Sequence, residues 1–142
     1  MSIVELVEKM TLELNEANRP AACQDAEIVA ADRRFVREFG VALPNAYKDV
    51  LRYADGVLHN GLTIWPISKH AIFHQTIFET NADLRDSFDS RFVYFGQRDE
   101  ELYVLETTLQ RYCAIEFVGT PVWAEFKDDV EMFEFMLARA WE

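Results

Sequence analysis

Glycine and proline are scarce in this sequence: 142 residues hold five glycines and four prolines. The glycines, at 40, 56, 61, 96 and 119, stand singly, so neither a P-loop nor a dinucleotide-binding turn can be assembled, since both need several glycines within one short loop. Cysteine is nearly absent. Cys23 and Cys113 lie far apart with no CxxC or Cys/His spacing, which excludes a disulfide framework and a zinc knuckle. Four serines, at 2, 68, 87 and 90, include none in a GxSxG elbow, so hydrolase-type nucleophilic catalysis has no support. No apolar run approaches the roughly 18 residues of a spanning helix. Basic residues are also in deficit, 14 Lys plus Arg against 25 Asp plus Glu, for a formal charge of −11. That sign opposes phosphate neutralisation, so nucleic acid is not an expected direct partner and cationic partners are favoured. With no basic and apolar leader at its start, the chain reads as a reduced, cytoplasmic protein.

What is present is material for a core. Half the residues are apolar and 13% aromatic. Surface scaling for this mass gives a folded area of about 7,500 Å², enough burial to dispense with staples or a structural metal. No repeat, low-complexity tract or linker interrupts the chain, so residues 1–142 read as one domain.

Ser2 and Glu5 match a capping box, and Ile3, Leu6, Val7, Met10 and Leu14 follow at helical spacing. After a break at Asn18, Arg19 and Pro20, a second helix is expected from Asp25, burying Ile28, Val29, Phe35 and Phe39 and stopping at Gly40. A third opens at Pro44, carries Tyr47, Val50, Leu51 and Ala54, and ends at Asp55 and Gly56. Gly61 to Trp65 reads as a strand stopped by Pro66. Residues 69–80 fit either a helix or an irregular segment. From Arg91 the pattern is an antiparallel meander: Phe92 to Phe95, a turn at Gly96 to Asp99, Leu102 to Leu105, a turn, then Cys113 to Val118. In that last strand Cys113, Ile115 and Phe117 share one face, as in a sheet with a single buried side. Phe126, Val130, Phe133, Leu137 and Trp141 recur at helical intervals and predict a C-terminal helix covering the sheet. The fold class is therefore α+β.

The run from Asp32 to Gly56, with Phe39 and Gly40, then Leu43, Pro44, two residues, Tyr47, Lys48, Leu51 and finally Asp55 and Gly56, resembles the signature of the SUKH superfamily. The strand ending at Trp65 and Pro66, the meander loop with Gly96 and Asp99, and the acidic start of the last helix follow in compatible order. One departure is Val57, where family members often carry the second glycine of a pair. The resemblance implies a binding module that is not an enzyme and needs no cofactor. Bacterial members are mostly immunity proteins that neutralise toxins, many of them nucleases or deaminases, and some eukaryotic relatives regulate cell-wall synthesis.

Charge placement fits the first of those roles. Residues 1–71 carry 8 basic and 10 acidic side chains, and residues 72–142 carry 6 and 15, so the halves stand at −2 and −9. Asp99, Glu100 and Glu101 concentrate carboxylates at an expected hairpin turn, where they would meet a basic toxin domain, with Trp65 and Trp123 as aromatic anchors. The rival binding reading is a regulatory or small-ligand module with a groove lined by Tyr47 and Trp65. A third reading is a metal-assisted hydrolase, resting on His70 and His74 four residues apart or on the row Asp83, Asp86 and Asp89. Against it, the histidine pair lacks the glutamate of HExxH, and a solvated helix face explains the aspartates. Cys113 alternates with apolar neighbours and reads as an inert core thiol. Asp128, Asp129, Glu131 and Glu134 complement the positive end of the last helix.

Overall fold

A computed structural model describes residues 2–141, which expose 7237 Å² in total, close to the scaling expectation. The chain runs α1 (Ile3–Leu12), a 3₁₀ turn (Glu16–Asn18), α2 (Asp25–Phe39), α3 (Asn45–Tyr53), β1 (Val57–His59) and β2 (Leu62–Ile64). It continues with α4 (Ile77–Ser87), β3 (Phe92–Arg98), β4 (Glu101–Glu106), β5 (Arg111–Glu116), β6 (Val122–Phe126) and α5 (Asp129–Trp141). All six strands form one antiparallel sheet whose spatial order, β1 to β6, is the chain order. The fold is α+β, with a meander and a C-terminal helix against it. Among the described residues no helix is long and apolar enough to cross a membrane.

Local chemistry sets the helix boundaries. The Ser2 hydroxyl accepts from the Glu5 amide, and Ile3, Leu6, Val7 and Met10 form the buried stripe of α1. Reciprocal capping boxes, Gln24 with Glu27 and Thr76 with Glu79, start α2 and α4. The Asp128 carboxylate accepts from the Glu131 amide at 2.8 Å and starts α5. Asp129 reaches across to accept from the Ala46 amide at 2.9 Å, so one carboxylate joins the beginnings of α5 and α3. These aspartates thus do more than complement the dipole of their own helix.

Helices α1, α3 and α5 pack on one another and cover one sheet face. Phe95 lies at its centre, 6.1 Å from Tyr47, 6.1 Å from Phe133 and 6.2 Å from Phe35, ring centre to ring centre. A bulge between Tyr94 and Gly96 puts Phe95 there. Gly96 then admits Met136, whose sulfur lies 2.5 Å from where a Cβ would stand. Helix α4 packs against β3, with Phe88 against Tyr94. Strand β2 leaves the edge of β3 at the Ile64/Gly96 pair. Beyond that point Asn81, fully buried on α4, takes its place: its Oδ1 accepts from the Tyr94 amide at 2.7 Å and its Nδ2 donates to the Tyr94 carbonyl at 2.9 Å.

Several expectations need correction. The strand read at Gly61–Trp65 is one half of a hairpin, with Asn60 and Gly61 at its turn (φ 45° and 83°) and Trp65 beyond its end. Residues 69–76 are not helical, and α4 begins only at the capping box. Gly96 belongs to β3, leaving Asp99 and Glu100 as the turn. Phe126 closes an unforeseen strand, β6, instead of opening the last helix. The buried stripe of α5 is Met132, Phe133, Met136, Leu137 and Ala140, and Val130 is exposed. Val29 is likewise exposed on α2. Finally, the sheet buries both faces: Val93 and Tyr94 on β3, Tyr103 and Val104 on β4, and Cys113 and Ala114 on β5 are all inaccessible. Alternation therefore marks both faces as core at the sheet centre, as in any doubly covered sheet.

The segment that carries the family resemblance is built of structural ties. Asp32 accepts from the Leu43 amide at 2.8 Å and pairs with Lys48 at 3.2 Å, fixing the Leu-Pro turn to α2. Asp55 accepts from the amides of Ile67 and Ser68 at 2.7 and 3.2 Å, and burial holds its carboxyl above the ordinary range. Burial, with Asp55 and Glu27 adding to it, pushes the Cys23 thiol up to about 12, and burial pushes Cys113 up to about 11. At pH 8, below both values, the two thiols stay protonated, and the thiolate fraction of Cys113 is on the order of 10⁻³ against about 0.2 for an ordinary cysteine. Alkylation of the folded protein at pH 8, followed by intact mass, is expected to run about a hundredfold slower than after denaturation. Prompt labelling of Cys113 in the folded state would contradict its placement.

Candidate functional site

The sequence-predicted residues divide between two regions. At one end of the sheet, Asp99 and Glu100 make the exposed β3–β4 turn, with Asp99 in the left-handed region at φ 54° and its carboxylate beside Gly61. The β5–β6 hairpin lies next to it, because the Phe117 amide donates to the Glu100 carbonyl at 2.8 Å. Left-handed backbone at Gly119 and Thr120 turns this hairpin.

Glu101 is not part of the projecting acidic group. It opens β4 on the face toward α5, accepts from the Tyr103 hydroxyl at 2.8 Å and pairs with Arg139 at 2.6 Å. Burial and the adjoining Glu101 carboxylate raise the Tyr103 phenol well above its usual range. The ion pair also offsets the charge of Glu101 opposite Glu116, its register partner on β5, where two like charges would otherwise face each other. The Arg139 guanidinium lies 5.1 Å over the ring of Trp123, and Trp123 packs on Phe135 at 5.8 Å. Trp123 is thus anchored from beneath while 37% of its surface stays open.

Four exposed apolar residues gather on this hairpin: Phe117, Val118, Val122 and Trp123, with Val118 the most open at 74%. Phe117, which the alternation places in the core, instead lies beyond the end of β5 and stacks on Phe88 at 4.6 Å. Asp99, Glu100 and Glu116 border this patch and form no ion pair among the described residues, whereas Glu106 and Glu125 are engaged by Arg111. The sequence reading missed Phe117, Val118, Val122 and Glu116. Their signal was the Gly-Thr-Pro break at 119–121 between two β-branched and aromatic runs.

The second region is a cleft of about 660 Å³ between the sheet face that α4 partly covers, the 72–75 loop and α4 itself. Thr63 and Gln97 contribute from the sheet, Trp65 and Phe73 from the wall, and His74 and Asp83 from the rim. Trp65 is therefore a buried wall residue of this cleft and not an exposed partner anchor. Tyr47 lines no groove: it is inaccessible, donates to the Trp65 carbonyl at 2.6 Å, and burial raises its phenol far above the usual value. His70 and His74 share no helix face, since both lie in the loop, where the His70 Nδ1 accepts from the Ile72 amide at 3.3 Å. The aspartate row is broken as well. Asp83 and Asp86 sit on α4, but Asp89 lies past its end, clasped by Arg91, which holds its carboxyl below the ordinary range. Among the described residues no three His, Cys, Asp or Glu side chains are grouped to hold a metal ion.

No protein-family model and no curated protein matches the sequence. The structure is similar to the crystal structure of a protein from Pseudomonas syringae pv. tomato, with a TM-score of 0.63 over 94% of this chain and 98% of the other. At 14% identity that likeness establishes a shared fold.

Proposed function

We propose that the chain is a non-enzymatic binding module that captures a basic protein domain and inhibits it by occlusion, in the SUKH-like reading as an immunity protein facing a toxin. The supporting observation is the coincidence at one sheet end of unpaired Asp99, Glu100 and Glu116 with exposed Phe117, Val118, Val122 and Trp123. Apolar area anchored by an aromatic residue supplies affinity, and free carboxylates around it steer a cationic partner and repel phosphate chains. A cleft that binds and polarises phosphate presents the complementary sign.

The test is affinity capture with the tagged chain at low and moderate salt, followed by association kinetics with the purified basic domain it retains. Reversing Asp99→Lys, Glu100→Lys and Glu116→Lys together is expected to slow association about tenfold at low salt and flatten its salt dependence. Glu101 is left intact because its carboxylate holds Arg139 and Tyr103 inside the fold. Association that is unchanged by the triple reversal would overturn this reading.

A second reading has its own observation, the cleft beside Trp65. Its amide, hydroxyl and carboxylate groups above an aromatic wall have the character of a site for a small polar ligand. A compound screen whose hits shift the resonances of Thr63, Gln97 and Asp83 while leaving 116–126 unmoved would favour it.

A further inference from the structure

A six-stranded meander has two outer edges, and they are treated differently here. Strand β1 is three residues long and packs against α1. Strand β6 has β5 on one side and no strand among the described residues on the other. The Glu116 amide donates to the Pro121 carbonyl at 3.2 Å. By the alternation of an antiparallel ladder, the next residue, Val122, opposite Ile115, turns its own N–H and C=O away from β5, and a bulge between Val122 and Ala124 then shifts the ladder by one residue. Such an edge, at 41% exposure for Val122 and 37% for Trp123, is a template for another strand.

From the open β6 edge we infer that the chain binds its partner by strand addition, an extended basic segment of a partner protein pairing along Val122–Phe126 as a seventh strand. This rests on the binding-module reading and specifies its contact. The register sets the side-chain code. Val122 lies opposite Ile115, on the face to which Phe117 adds its ring through Phe88 and Tyr94, so one side of the incoming strand meets apolar surface. Trp123 and Glu116 lie on the other face, where Arg139 already sits over the indole and pairs with Glu101, so residues of the alternate set meet the unpaired Glu116 carboxylate, which attracts lysine or arginine. An alternating apolar and basic strand fits both faces. A second copy of this chain fits poorly, because it brings another net charge of −11 and another Glu116 to the same edge.

The probe is a capped peptide of about ten residues alternating lysine and valine, titrated into the full chain and followed by amide resonances and hydrogen exchange. Controls are the same peptide N-methylated throughout, which keeps charge but loses donors, and a glutamate–valine version. Expected are shifts confined to residues 116–126, exchange at Val122 slowed at least about tenfold at saturation, and loss of binding by both controls. Val122→Pro removes an outward donor without touching the β5 ladder and should weaken the peptide about tenfold or more with an unchanged melting temperature. If that variant does not fold, the N-methylated peptide against its parent carries the backbone comparison, and Val118→Lys with Trp123→Ala tests the side-chain contacts alone. Equal binding by the N-methylated peptide, shifts spread across other acidic surface, or no binding at millimolar peptide would overturn strand addition. A basic domain that is captured equally by the wild type and the edge variants would sink the edge while leaving the binding-module reading standing. Peptide addition on β6 with no inhibition of any captured domain would do the reverse.

Discussion

Asn81→Leu is expected to lower the free energy of unfolding by about 3 kcal/mol, read from urea unfolding curves. Leucine keeps the volume of the buried amide but abolishes three hydrogen bonds, to the Tyr94 amide, the Tyr94 carbonyl and the Ile77 carbonyl. Ile77 can still satisfy its carbonyl within α4. The Tyr94 peptide cannot, because β2 has already left that stretch of β3 and water does not reach it. An orphaned buried peptide group costs about 1–3 kcal/mol each, and two are created. Asn81→Asp distinguishes donor from acceptor. A carboxylate there still accepts from the Tyr94 amide but faces the Tyr94 carbonyl without a proton, so the folded state raises its pKa. With the folded value above the unfolded value near 4, the variant is most stable below pH 4 and loses stability as pH rises through the folded pKa. A flat pH profile relative to wild type would mean that Asn81 does not bridge the edge as described.

Gly56→Ala is expected to cost about 2–4 kcal/mol. Gly56 adopts φ 96°, which an L side chain rarely tolerates, and an added Cβ would stand 2.8 Å from the Phe73 ring and 3.0 Å from the Ile64 carbonyl. The backbone contribution is about 1 kcal/mol, and the clash with an immobile carbonyl supplies the remainder. Gly40→Ala is the internal reference: its φ is 78° but nothing lies within 4 Å of the added carbon, so about 1 kcal/mol is expected. Equal losses at the two glycines would show that the crowding at Gly56 is absorbed. Because Phe73 also forms a wall of the cleft, Gly56→Ala should move the resonances of Trp65 and Gln97 as well.

The α+β class, the capped first helix and the central meander were legible because each rests on short-range periodicity. What escaped has identifiable causes. Asn60-Gly61 is a strong hairpin dipeptide, but with only three residues on each side the alternation was too brief to reveal β1. Phe126 fell at helical spacing from Val130 by coincidence, and the competing signal was Asp128 followed by Glu131, a helix start placed two residues after Phe126. At the candidate surface, Asp99, Glu100 and Trp123 were recognisable as turn carboxylates and an aromatic residue. Glu101 was not separable from them, since only the strand pleat and Arg139, 38 residues away, turn it inward. Tyr47 carried one mark of burial, its place at helical spacing with Val50, Leu51 and Ala54, but its hydrogen bond to the Trp65 carbonyl joins segments 18 residues apart and left no sign in the sequence.

The identity of spatial and chain order in the sheet governs how the molecule assembles. Strands β1 and β2, and strands β3 to β6, are joined by short turns and can form as successive hairpins of low loop-closure cost, whereas β3 reaches β2 only across the segment that holds α4. The helical layer works the other way, since α5 packs against α1 and α3. Phe95 and Tyr47 therefore remain half-clad until the last segment returns to the first, and that closure is the step at which unfinished chains are most prone to stick to one another. Slowing α5 docking, for example through Phe133→Ala, should then lower the folding rate more than the same loss of burial in α1.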